Sequence, residues 1–393
     1  MESEVERKVV AMHAAPAAAA RPRALLRVLG GVFGLAMVVG ATVGGGILRT
    51  PGEIAAALPV PALFMAVWIF GGIVTLLGAN SWAELGAMIP SAGGPYVYAR
   101  RAFGDGVGLF VGYTDWINWC IGPVVLVLIV GEYMGGLFPV LAPHGIGLLV
   151  AFGVAMQGVI YTYDAYYSVV YCSEDMRDPG TSIPRSIFRG VWLVMGIYLI
   201  VNLAYLAVIP ASKMAGDPFV AATMARSIFG PAGDTIIRVI MIVSLLGAIN
   251  AQLIIIPRVL LAMSRDGLFP RQAARISAGG TPAVALALSL LVVAGFLLTG
   301  SFTAVLALDS ILIVALYVIT FLTLFVLRRR DPDTPRPYRA RGYPFIPAIA
   351  LLVAIALVAA ISISDPRSAL IVLGILFASW LASRMVARVV RRS

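Results

Sequence analysis

The sequence predicts an all-α membrane protein that crosses the bilayer about ten times. Three observations carry that expectation: an apolar composition, apolar runs of spanning length, and arginines gathered in alternate loops. Of 393 residues, 60% are hydrophobic and only 12% charged. With a mean hydropathy of +0.96, a water-soluble domain would lack polar surface. The hydrocarbon core is about 30 Å thick and takes about 20 helical residues to cross. Ten runs reach or approach that length: 25–48, 60–88, 104–135, 146–171, 187–209, 233–263, 283–300, 303–327, 345–362 and 367–387. The alternating pattern of a β-barrel is absent, so backbone polar groups must be satisfied inside helices.

Before the first run, residues 1–24 mix Glu2, Glu4, Glu6, Arg7 and Lys8 with an alanine tract and lack a signal peptide's apolar core and cleavage site. They read as a disordered cytoplasmic tail, followed by one transmembrane domain over 25–388 and a short cytoplasmic tail over 389–393. The formal charge of +10 raises nucleic-acid binding as a possibility, but the basic residues follow the membrane. If the first span runs outward, the cytoplasmic segments hold 24 of the 29. Arg49, Lys213, Arg226 and Arg367 fall outside, and Arg238 lies just inside a span. That asymmetry is the positive-inside pattern, which predicts a multi-pass protein of the inner (cell) membrane with both termini cytoplasmic. Cys120 and Cys172 fall at different depths and read as packing residues, and no metal site or cofactor is expected.

Two spans are interrupted. In the first, Gly40, Gly44, Gly45 and Gly46 break the apolar run, and Pro51 and Gly52 follow. Glycine weakens a helix by about 1 kcal/mol relative to alanine. Small residues also allow close helix packing, but a triple glycine at mid-membrane suits an unwound stretch lining a cavity. In the fourth run, Gln157, Tyr161, Thr162, Tyr163, Asp164, Tyr166, Tyr167 and Ser168 crowd a segment that should be apolar. A pair of broken spans is the sequence pointer to a substrate site between inverted repeats.

The polar segments between spans carry further motifs. Val39–Pro51 reads VGATVGGGILRTP, Glu84–Gly104 reads ELGAMIPSAGGPYVYARRAFG, and Tyr161–Arg185 reads YTYDAYYSVVYCSEDMRDPGTSIPR. Arg258–Pro282 reads RVLLAMSRDGLFPRQAARISAGGTP and Arg336–Pro347 reads RPYRARGYPFIP. Together, and in this order, they resemble the amino acid/polyamine/organocation superfamily of amino acid permeases.

The resemblance implies a leucine-transporter-like inverted-repeat bundle and amino acid transport across the cytoplasmic membrane by alternating access. It implies that Gly44, Gly45 and Gly46 offer backbone N–H groups to a substrate carboxylate at the positive end of a half-helix. The carbonyls of Thr42, Val43 and Tyr161 would receive the ammonium, and Tyr161 and Tyr163 would form an aromatic lid or wall. Gly45 stands where serine is common in the family. Ala165 replaces the usual glycine, which alters the depth or shape of the side-chain pocket. The family has twelve helices, and its fourth and fifth have no counterpart here. The third run ends near Glu132 and the sixth-like run begins near Ile146, with only Pro139, Pro143 and His144 marking the loop between. Losing two spans preserves the sidedness of every later loop. It leaves the first repeat short, so either a homodimer covers the gap or transport by the monomer is impaired.

Charges at bilayer depth are costly and usually functional. Asp115, near Asn118, and Asp309 read as hydrogen-bonded or interfacial residues. Asp164 sits in the expected site, either bracing the unwound segment or carrying a coupling proton. The eighth-like span supplies Ser244, Asn250 and Gln252 without a convincing pair of sodium ligands. Glu84, Arg100, Glu174, Asp175, Arg177, Asp178 and Arg185 are expected to form a gate-side ion-pair network. Enzyme motifs are absent, with no Gly-x-Ser-x-Gly, His-Glu-x-x-His or phosphate-binding loop. The alternatives are a transport-impaired or truncated relative, or a membrane amino acid sensor. The topology is tested by Arg177→Cys and Arg271→Cys, which should resist a membrane-impermeant maleimide applied to intact cells; efficient labelling of either overturns the orientation.

Overall fold

A computed structural model of the chain describes residues 29–137, 158–277, 281–298 and 302–390. The tail over 1–24, the loop with Pro139, Pro143 and His144, the expected start of a span at 146, and Gln157 lie outside the described residues. The first apolar run forms two helices, α1 (Gly31–Thr42) and α2 (Gly45–Ala57), bent by 40°. α2 continues well past the expected end at 48 and holds Pro51 within it. Proline cannot donate to the carbonyl four residues back. On the same turn Thr50 donates its hydroxyl to the Gly46 carbonyl at 2.8 Å, and Arg49 pairs with Glu53 at 2.9 Å.

Next come α3 (Pro61–Met88), α4 (Pro95–Phe103) and α5 (Asp105–Leu137). The second broken span follows as a short helix, α6 (158–163), a turn through 164–167 and a 3-10 helix over Ser168–Asp175. The chain then forms α7 (Pro179–Val208), α8 (Val220–Arg265), α9 (Ala283–Leu297), α10 (Phe302–Arg330), α11 (Phe345–Ser364) and α12 (Pro366–Val390). α12 thus runs past the tail boundary expected at 389. α8 is kinked at Gly230, whose φ of +69° favours glycine and which precedes Pro231; the expected span over 233–263 is the part beyond that kink.

Among the described residues seven helices are each long and apolar enough to cross a membrane, and the bent α1–α2 pair makes an eighth. α9, with 15 residues, is shorter. α5 is central, packing against α4, α8, α9, α10 and α12, while α7 packs along α1 and α3. Trp82 stacks on Tyr167 with ring centroids 4.0 Å apart, fixing α3 against the broken span. Trp192, Ile200, Val243, Leu291, Leu352 and Leu373 are exposed around the outside. In water such a surface would be an aggregation hazard; in a bilayer it meets lipid tails.

The arginine-rich loops converge on one end. Glu84, wholly buried on α3, accepts two bonds from Arg328 at 2.7 and 2.6 Å and one from the Ala340 backbone N–H at 2.6 Å. Arg336 Nε lies 3.2 Å from Glu84 Oε1 but makes no aligned hydrogen bond, so that contact is electrostatic. Arg258 pairs with Asp175, Arg265 with Glu174, Arg100 with Asp105 and Asp266, and Arg101 with Asp331. Tyr96 donates to Asp266 at 2.7 Å; burial, then the Asp266 carboxylate, pushes its phenol above the ordinary range, so it stays a donor. Arg177, Asp178 and Arg185 stand apart from the ion pairs found among the described residues, and Asp178 instead accepts from the Thr181 hydroxyl. Removing one partner of a buried pair costs about 3–5 kcal/mol. Glu84→Ala should therefore lower the unfolding temperature of the detergent-purified protein sharply, with Glu84→Gln falling between; a wild-type melt for Glu84→Ala would exclude this cluster as a stabilising lock.

Candidate functional site

The site is built where the two broken spans pass each other. α1 ends at Thr42 because Val43 leaves the helical region, at φ −78° and ψ 91°. α2 restarts at Gly45 with Gly44 as its cap. The first-turn N–H groups of Gly45 and Gly46 have no carbonyl four residues back and form the positive end of a half-helix. Gly46 also permits a close crossing: a Cβ there would lie 2.6 Å from Thr162 Cα on α6. Thr50 and Thr162 meet hydroxyl to hydroxyl at 3.1 Å across that crossing.

One side chain ties both breaks together. The Tyr198 hydroxyl on α7 lies 2.8 Å from the Thr42 carbonyl and 2.7 Å from the Thr162 carbonyl, its one proton shared between the two oxygens that the uncoiled segments leave open. Ala165, in the second break, has φ +66°. That is the left-handed region, which costs a residue with a Cβ about 1 kcal/mol and which the family's usual glycine occupies freely.

Between the breaks lies a cavity. Thr42, Gly44 and Gly46 face it from the first span, and Tyr161, Asp164 and Ala165 from the second. α5 contributes Asn118, Trp119, Gly122 and Leu126, α8 contributes Gln252, and α10 contributes Asp309. Tyr317 donates to Asp164 at 2.6 Å. Asn118 Oδ1, Gln252 Oε1 and Asp309 Oδ1 are buried with no hydrogen-bond partner among the described residues. Unpaired buried acceptors are rare and costly, and a donor-bearing ligand would satisfy them. The free space is about 30 Å³, room for roughly two waters.

The structure therefore gathers Thr42, Gly44, Gly46, Tyr161, Asp164 and Ala165 and places Gly45 at the start of α2. Val43, between Thr42 and Gly44 in the chain, and Tyr163 are not among the residues lining the cavity. Tyr161 and Tyr163 are two residues apart on a helix, about 200° around its axis, and cannot both face one cavity. Tyr163 turns away and donates to the Trp68 carbonyl at 3.2 Å, so it is not a lid over this cavity. Asp115 is a hydrogen-bonded residue as expected, accepting from Tyr171 at 2.8 Å. Asp309 is not: it is a wall of the cavity.

Residues 31–155 and 138–378 match the family described as Amino acid permease. The chain belongs to the amino acid permease family. This permease is 25% identical to the serine/threonine exchanger SteT of Bacillus subtilis (strain 168) over 394 aligned positions, covering 83% of this chain and 89% of that protein. It is 24% identical to the b(0,+)-type amino acid transporter 1 of Mus musculus, covering 87% and 84%. It is also 24% identical to the large neutral amino acids transporter small subunit 2 of Mus musculus, covering 80% and 73%. The protein is an amino acid permease of the superfamily its motifs resemble, with an all-α membrane fold.

Tyr198, Asn118, Gln252 and Asp309 escaped assignment to the site from sequence. Asn118, Gln252 and Asp309, a lone carboxylate in FTAVLALDSILIV, stood out as polar residues within spans, while Tyr198 carried no signal of its own. Ala165→Gly should remove the left-handed strain and raise the unfolding temperature, whereas Gly46→Ala should lower it by forcing α2 off α6. Equal melts for Gly46→Ala and the parent would mean that the two broken spans do not cross this closely.

Proposed function

We propose that this permease carries α-amino acids with donor-bearing side chains by alternating access about its two breaks. The cavity supports the reading because groups of both polarities line it. The first turn of α2 presents N–H groups suited to a carboxylate. Around the same cavity, Asp164, Asp309, Asn118 and Gln252 present oxygens suited to an ammonium and to a side-chain hydroxyl or amine. Tyr317 occupies Asp164, which favours its bracing role, and Asp309 is left as the more available acceptor. SteT, whose name specifies serine and threonine, is consistent with a hydroxyl donor. Space for roughly two waters does not admit an amino acid, so α2 and the 164–167 turn must part before substrate binds. Opening toward the arginine-rich end, which we place in the cytoplasm, would break Arg258–Asp175 and Arg265–Glu174.

A second reading, a transport-impaired relative, is favoured by the alignment. Eighty-three per cent of 393 residues is about 326, so about 68 of the 394 aligned positions have no counterpart in this chain, room for two spans of about 20 residues with their loops. The two family matches overlap over 138–155, between α5 and α6, which supports placing the loss there. A second copy of the chain would then cover α6 in the membrane.

Reconstituted into liposomes, the purified protein should take up labelled serine or threonine above protein-free vesicles. Asp309→Asn should reduce that uptake roughly tenfold or more, the worth of a charge-assisted hydrogen bond, and reduce alanine uptake less. Absence of uptake for all twenty amino acids would establish the impaired reading, and an equal loss for serine and alanine would remove Asp309 from side-chain recognition.

A further inference from the structure

A second, larger cavity of about 610 Å³ opens at the arginine-rich end of the outer surface, between α3, α7 and the segment that leads into α11. It shares no lining residue with the central cavity. Three arginines line it, Arg185, Arg189 and Arg341, and all three residues are exposed. Elsewhere at this end Arg100, Arg101, Arg258, Arg265 and Arg328 are each paired with a carboxylate. These three have no such partner among the described residues. Three arginines brought together without acids repel one another and leave a concentrated positive field.

Most of the rest of the wall is apolar, with Asn80, Thr181 and Tyr338 as its polar members. Leu76 and Leu77 form its α3 side and Ile346 its α11 side. On α7, Arg185, Phe188, Arg189 and Trp192 follow at spacings that put them on one helical face. The charges come first, at the arginine-rich end, and Trp192, 59% exposed, stands deeper along the span. Leu193 and Ile200 beyond it on α7, and Ile349 and Leu352 on α11, are exposed to the membrane. Cationic head, aromatic band and apolar track thus occur in the order in which a phospholipid presents phosphate, glycerol and acyl chain.

The arginine-bearing segment is held in place rather than loose. Asn80 of α3 donates to the Arg341 carbonyl at 2.7 Å and accepts from the Arg341 N–H at 2.9 Å. It also accepts from the Tyr338 hydroxyl at 2.7 Å. Tyr338 in turn packs on Phe188, with ring centroids 5.8 Å apart. We infer that this groove is a binding site for an anionic phospholipid, its phosphate held by Arg185, Arg189 and Arg341 and its acyl chains lying along α7 and α11. A basic recess between helices at the membrane surface is the known physical setting for such headgroups. A free anion would use the arginines but leave the apolar track empty.

The test is native mass spectrometry of the full-length protein in detergent mixed with phosphatidylglycerol or phosphatidylcholine, alongside thermal unfolding with each lipid and with inorganic phosphate. The parent should retain phosphatidylglycerol at least about tenfold over phosphatidylcholine and melt higher with it. The triple variant Arg185→Gln, Arg189→Gln, Arg341→Gln should lose the preference while melting like the parent in phosphatidylcholine. If the triple variant fails to fold, Arg189→Gln alone, at an exposed side chain, should still weaken the preference. No preference in the parent, an unchanged preference in the folded variants, or equal stabilisation by inorganic phosphate would each overturn the assignment. None of these readouts depends on transport.

Discussion

A single hydroxyl holds the two halves of the site in register. Uncoiling a helix inside hydrocarbon exposes backbone groups that water cannot reach, each costing several kcal/mol if unmet. This chain does so twice, at Val43–Gly44 and at 164–167, and the cost is contained because the breaks are adjacent. Tyr198 reaches between them to the carbonyls of Thr42 and Thr162, and Trp68 packs on its ring, centroids 5.7 Å apart. Remove that bridge and both breaks need another donor at once.

Everything else about the site follows from keeping those breaks open but covered. Gly46 lets α2 cross Thr162, and Ala165 accepts a strained backbone so that Asp164 can face inward. The ion pairs at the arginine-rich end lie directly beyond the 3-10 helix: Asp175 and Glu174 at its end are fastened to Arg258 and Arg265 on α8. The second broken span is thus anchored at its charged end and unwound at its middle.

Spans and breaks were legible because they are one-dimensional signals. A run of about 20 apolar residues or three consecutive glycines can be read from the chain alone. The cavity wall was less so. Asn118, Gln252 and Asp309 come from three helices distant in sequence, and each by itself looks like a tolerated polar residue. Tyr198 lies in an apolar run, IYLIVNLAYL, where a tyrosine reads as packing; only its neighbours' open carbonyls give the hydroxyl a role. Tyr163 was misplaced for the converse reason: richness in tyrosine marks a polar segment but not which side of the helix each ring takes. Glu84 read as a loop charge, yet it sits inside α3 because Arg328, from more than two hundred residues later, covers it.

α7 connects these features. Its outer face carries Arg185, Arg189 and Trp192, and its inner face carries Gly190 and Tyr198. A Cβ at Gly190 would fall within 2.9 Å of Val38 Cβ on α1, so the two helices touch with no slack just below the first break. Tyr198 then meets the break itself, eight residues or about 12 Å further along the same helix. The groove is lined by the outer face of α7, whereas the central cavity takes no lining residue from α7 and meets that helix only through the Tyr198 hydroxyl at its two breaks.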